Sequence, residues 1–193
     1  MSKRQRDVSL YDIRNSEDAL KYASAECWGD EEFVLEAIEE LHDAFQYASE
    51  ELRGDPDFAL DAIKVDSHSF KYASADLRED RDFVRNAVKA AGSVFEYASE
   101  EFQNDREIVL EAVKVGELAL ELVSEQFKSD REIVSCAVMQ CGEHLQDASE
   151  ELQNDVDIVL AAVKRDGTAL QYASEKLRGD REIILEAVNQ FGS

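Results

Sequence analysis

Apolar residues return along this chain at a fixed spacing of 25 rather than in blocks. Large ones stand at Leu20, Phe45, Phe70, Phe95, Leu120, Leu145 and Leu170, and a second series at Phe33, Phe58, Phe83, Ile108, Ile133, Ile158 and Ile183. In the same phase run an Ala (Ala37, Ala62, Ala87, Ala112, Ala137, Ala162, Ala187), a Ser (Ser24, Ser49, Ser74, Ser99, Ser124, Ser149, Ser174) and an Asp (Asp30, Asp55, Asp80, Asp105, Asp130, Asp155, Asp180). Seven copies without an insertion identify a tandem array before any other property is considered.

Within one unit the pattern predicts two helices of about ten residues. Ser93 with Glu96, and Thr168 with Gln171, have the spacing of a capping box at the start of the first helix. Phe95, Ala98, Ser99 and Phe102 then form one narrow apolar stripe. Asn104, and Gly29, Gly54, Ser129, Asn154 and Gly179 in the same register, are types that tolerate the left-handed conformation closing a helix; Glu79 is the exception. The Asp that follows reads as N-cap of the second helix, with an acidic residue two further on suiting the positive helix end. That helix runs to about Lys114, and Lys64, Lys89, Lys114 and Lys164 approach its negative end.

Helices of ~15 Å cannot bury their own apolar surface, so stability comes from stacking. Ile108, Val109, Leu110, Ala112 and Val113 cover about half of the second helix, wider than the ~100° stripe of a surface helix, so it touches more than one neighbour. The expected fold is all-α: a right-handed α-solenoid of seven two-helix repeats at residues 16–193, one elongated domain of ~70 Å. An N-terminal half-repeat at residues 1–15 precedes it, with Arg6–Arg14 aligned on Arg81–Lys89 as a lone second helix and Asp12 in place of the Ala. The last helix, from Arg181, carries no such polar substitute. Ile183, Ile184, Leu185, Val188 and Phe191 would leave an outward apolar face there, which predicts a homodimer closed through this helix.

Composition narrows the function classes. Of 193 residues, 44 are Asp or Glu and 21 Lys or Arg, a net charge of −23. The first fifteen residues are net +2, so the acidity belongs to the repeats. A phosphate backbone needs a basic face, so nucleic acid is not an expected partner. No run approaches the ~20 apolar residues of a membrane span, and MSKRQRD lacks the apolar core of a secretory signal. Three cysteines, Cys27, Cys136 and Cys141, fit a reducing compartment, so an intracellular, cytoplasmic protein is expected.

Little points to chemistry. The repeated Ser has no recurring base beside it and reads as a small packing residue, its hydroxyl bonding back to the carbonyl four residues earlier. The Asp series reads as capping, because a cap is needed in every repeat and an active site once. His42, His68 and His144 lie in different units without ligand spacing, and Asp55-Pro56-Asp57 enters a helix, so no metal or cofactor is expected. Tyr22, Tyr47, Tyr72, Tyr97 and Tyr172 fall about 130° from the core stripe, as a contact surface or as inter-repeat packing. The repeat breaks at Leu122, Val123, Ser135 and Asp147, and Cys136 with Met139 makes a small apolar spot on a charged face.

The segments YASEELRGD, YASEEFQNDREIVLEAVK and YASEKLRGDREIILEAV resemble an uncharacterised tandem helical repeat family classed as a domain of unknown function. Its pattern is A-S-E-x-L, a short turn with Asp, then R-E-x-V-L-x-A-V and a Gly. The resemblance, which covers about Ser16 to Gly192, is to arrays of algae, protists and amoeba-associated bacteria, and implies a eukaryotic-type interaction module with no catalytic residue to transfer. The expected function is a non-enzymatic acidic scaffold binding a protein or peptide, preferably basic, through charge steering and Tyr contacts. The alternatives are an acidic nucleic-acid mimic that occupies a nucleic-acid-binding protein, or a non-catalytic accessory or effector module of a larger assembly.

Overall fold

The structure is a computed structural model that describes residues 23–116 and 120–190. The half-repeat at residues 1–15, Tyr22 and Phe191 lie outside these. All regular structure among the described residues is helical and follows the sequence period. Seven helices of ten residues recur: α1 (Glu31–Glu40), α2 (Pro56–Val65), α3 (Arg81–Ala90), α4 (Arg106–Val115), α5 (Arg131–Gln140), α6 (Val156–Arg165) and α7 (Arg181–Gln190). The array, which the period marks as one domain, falls into two compact units, Met1–Ser99 and Glu100–Ser193.

Each long helix starts where an extended Asp turns its carboxylate back onto free amides. Asp30 Oδ1 accepts from Phe33 N–H at 2.8 Å, and Asp55 Oδ1 accepts from both Asp57 and Phe58 at 2.9 Å. Asp80, Asp105, Asp130, Asp155 and Asp180 do the same on their own helices. Such a cap is worth about 1 kcal/mol against Ala.

The first half of the repeat is not a single ten-residue helix. It is a 3-10 segment, a two-residue extended link and one short α-turn, as in Gly167–Tyr172, Ala173–Ser174 and Glu175–Arg178. Ala173 (φ −68°, ψ 158°) and Ser174 (φ −54°, ψ 154°) cannot continue a helix, and Ala48–Ser49 and Ala73–Ser74 take the same conformation. An external hydrogen bond accompanies the break. Ser49 N–H donates to the Trp28 carbonyl (2.7 Å), Ser74 to Arg53 (2.8 Å), Ser149 to Lys128 and Ser174 to Gln153 (both 2.9 Å). Each acceptor lies near the end of the preceding repeat's short helical turn, where a carbonyl has no partner within its own helix. A local i→i−4 bond is thereby exchanged for one that ties adjacent repeats together.

This geometry corrects three expectations. The repeated Ser is an N-cap rather than a packing residue bonded to an upstream carbonyl: Ser49, Ser74, Ser149 and Ser174 Oγ accept from the amide of the Leu three residues on. Ser124 departs from this, its Oγ being buried without a hydrogen-bond partner. Two of the 3-10 segments are capped by the Asp before them, that at Gly167–Tyr172 not by Thr168: Asp166 Oδ1 accepts from the Thr168 N–H and hydroxyl, and Asp66 Oδ1 accepts from His68 N–H. The short turns do not close left-handed. Ser129, Asn154 and Gly179 have φ near −100° (−103°, −105° and −93°), and among the described residues only Gly116 has positive φ.

Within each unit, successive long helices pack on one another and successive 3-10 segments pack on one another, giving two rows with the core between them. The repeated Ala is fully buried in every internal helix from Ala37 to Ala162, where a larger side chain would hold neighbours apart. The positions four and eight residues after the Asp face the next repeat. Val109, Val134 and Val159 are 0 % exposed and Val113, Val138 and Val163 at most 1 %. Full burial of one such side chain stabilises by about 1.5–3 kcal/mol, so the stacking contact dominates each helix's energetics.

Candidate interaction surface

Tyr47, Tyr72, Tyr97 and Tyr172 end their 3-10 segments and are half-buried. In the first unit their rings engage the preceding repeat. Tyr47 lies against Trp28 with centroids 5.4 Å apart, and Tyr97 against His68 at 5.5 Å, with Lys71 Nζ 4.0 Å from the Tyr97 centroid. The Tyr72 hydroxyl donates to Asp43 Oδ1 at 2.8 Å. Burial first, then that carboxylate, pushes the Tyr72 phenol above its usual value and keeps it protonated.

Beside these tyrosines the fold assembles a cluster that spacing did not reveal. Asp66 has His68 Nδ1 3.0 Å from its Oδ1 and His42 Nδ1 3.3 Å from its Oδ2, and the imidazole centroids are 6.1 Å apart. The signal was present as a separation close to one repeat length, read as distance when stacking makes it proximity. Among the described residues no group of three His, Cys, Asp or Glu side chains is placed to hold a metal ion. His144 sits apart, its Nδ1 3.5 Å from the Leu120 amide.

A second pattern joins the long helices of the second unit. Arg106, the first residue of α4, donates through Nε to Asp130 Oδ2 at 2.7 Å and through Nη2 to Glu132 Oε2 at 2.7 Å. Arg131 repeats this one helix later, to Asp155 (2.7 Å) and Asp157 (2.9 Å). The Asp therefore caps its own helix and anchors the preceding one. The Arg106 hydrogen bond holds the Asp130 carboxyl below the usual carboxylate range, and the Thr168 hydroxyl and amide do the same for Asp166. An open groove of about 660 Å³ runs along this pattern, lined by Arg106, Asp130, Arg131, Glu132 and Cys136. Cys136 is half-buried there, whereas Met139 is 55 % exposed and Cys141 also faces outward.

The short turns present exposed acids in both units. Glu50, Glu51 and Asp76 in the first unit, and Glu100, Glu101, Glu125, Glu150, Glu151 and Glu175 in the second, all open these turns and are exposed. Carboxylates at the N-terminal end of each turn sit where free amides favour negative charge, so the acidity is compatible with folding. Among the described residues no helix is long and apolar enough to cross a membrane.

Capped short turns, Asp-led ten-residue helices and bonds passed from each repeat to the next define a tandem helical-repeat protein. Six stretches, residues 6–53, 30–78, 80–128, 105–153, 130–178 and 155–193, match the model of Domain of unknown function (DUF4116). The chain belongs to that family, whose model spans about two of the 25-residue units in each match. No curated protein and no solved structure matches the chain.

Proposed function

We propose that this chain is a non-enzymatic, cytoplasmic scaffold that binds a basic protein or peptide segment. The observation that carries the reading is the series of exposed carboxylates that open the short turns, single at Asp76, Glu125 and Glu175 and paired at Glu50–Glu51, Glu100–Glu101 and Glu150–Glu151, in a chain of net charge −23. Held within each unit at a spacing of one repeat, these carboxylates attract cationic segments over distance and favour partners whose charges recur. The half-exposed Tyr rings beside them add amphipathic contact area. Their engagement with the preceding repeat makes that area rigid before a partner arrives.

The experiment is retention of lysate proteins on the immobilised chain at two salt concentrations, followed by titration of the recovered segment as a synthetic peptide. The expected result is Lys/Arg-rich protein segments whose affinity falls with salt yet persists in part at high ionic strength. Replacing Glu100, Glu101, Glu150 and Glu151 with Gln should weaken that peptide without changing helicity. Recovery confined to nucleic-acid-binding proteins, displaced by added DNA or RNA, would overturn the reading in favour of mimicry.

A further inference from the structure

The outer face of α7 has the chemistry of faces that, elsewhere in the same unit, seat a following helix. Ile184 and Val188 occupy the positions of Val134 and Val138, which are 0 % exposed, yet they are 38 % and 58 % exposed; Leu185 beside them is 52 % exposed. Arg181 occupies the position of Arg106 and Arg131 and is exposed, with no acidic partner among the described residues. Val156, in the same position of α6, shows that a repeat stacks on its successor without an arginine there. Arg181 is therefore not needed to complete α7 itself. Arg106 and Arg131 set the precedent that an arginine here reaches the N-terminus of the adjoining helix.

We propose that Arg181, Ile184, Leu185 and Val188 form a docking face for a further helix of this repeat type that opens Asp-x-Asp/Glu. Charge complementarity selects that occupant. Arg106 and Arg131 each reach an N-cap Asp together with the acid two residues later, a pair of acceptors that only a helix starting this way presents. Apolar residues on the incoming helix then cover Ile184 and Val188 as α6 covers Val134 and Val138. The helices of this unit that open in this way and meet an arginine, α5 and α6, are already held by Arg106 and Arg131, so the matching helix is neither of these.

The test uses the intact chain and a helix-stapled peptide with the sequence Asn154–Arg165, the segment that α5 accepts. The peptide should bind, and Arg181→Glu, or Asn at both Asp155 and Asp157 of the peptide, should each weaken it about tenfold. Combining the two changes should cost little more than either alone. Ile184→Glu with Val188→Lys should abolish binding. Because a short peptide can fail to hold its own helix, a second arm fuses a copy of residues 141–165 after Gln190. The fusion should gain a repeat's worth of helicity and melt higher, and Arg181→Glu should lower melting in the fusion but not in the parent. The proposal fails if the appended repeat stays unfolded, or if Arg181→Glu leaves both binding and fusion melting unchanged. It also fails if sedimentation shows the parent chain already dimeric through Ile184 and Val188, because the face is then closed by the same face of a second copy and not by an Asp-x-Asp/Glu helix start.

Discussion

Arg106 donates to Asp130 from the first turn of one helix to the cap of the next, Nε to Oδ2 at 2.7 Å and Nη2 to Oδ1 at 3.1 Å. One carboxylate thus fixes where its own helix begins and which helix lies beside it. The folded-state pKa of Asp130 lies below its unfolded value of about 3.9. Its contribution is therefore fully present above the unfolded value and is lost as pH falls through the folded one. Arg106→Ala should raise the Asp130 carboxyl pKa towards the ordinary range, as read by carbon NMR titration. The stability difference between parent and variant, from urea unfolding, should be largest near neutral pH and shrink below about pH 4. A difference independent of pH would remove the linkage.

The cap geometry separates two serines that the sequence makes equivalent. Ser149 Oγ accepts from the Leu152 amide, while Ser124 Oγ is buried without a partner. Ser149→Ala should cost about 1 kcal/mol. Ser124→Ala should be neutral or slightly stabilising, because it removes an unpaired buried hydroxyl. Denaturant titration of both variants checks the contrast, and equal losses would contradict it.

Asp55 is a cap without an arginine before it, since Glu31 stands where Arg106 stands in the later repeat. Asp55→Asn should therefore cost only a few tenths of a kcal/mol and Asp55→Ala about 1 kcal/mol. At Asp130, Asn keeps the amide acceptor but loses the ion pair, so Asp130→Asn should be the more damaging of the two Asn variants. Thermal melts of the three proteins at neutral pH give the order.

Gly142 is required by proximity rather than by backbone conformation. A Cβ there would fall 2.6 Å from the Ala162 carbonyl oxygen and 3.3 Å from Ala169 Cβ, whereas at Gly54 the nearest atoms, both of Ser74, lie at 4.0 Å. Gly142→Ala should destabilise by about 1–3 kcal/mol. Gly54→Ala should stabilise by roughly 0.5 kcal/mol through the lower entropy of the unfolded chain. Opposite signs in calorimetry are the expected outcome.

By itself the sequence determined the repeat length, the Asp-led long helix and the buried series through Ala112, Val109 and Val113. These rest on local capping and on one period repeated seven times, both legible without knowing any neighbour. The first half of the repeat was misread because Phe95, Ala98 and Phe102 fit a continuous α-helix as well as a 3-10 segment followed by a new turn. What decides between them is the Ser amide, which finds the preceding repeat's carbonyl only when Ala and Ser are extended. Contacts one period away, such as His42 and His68 about Asp66 or Arg131 on Asp155, were likewise invisible in spacing alone. They exist because stacking turns residues 24 to 26 apart into neighbours, and only the tertiary structure fixes which of them meet.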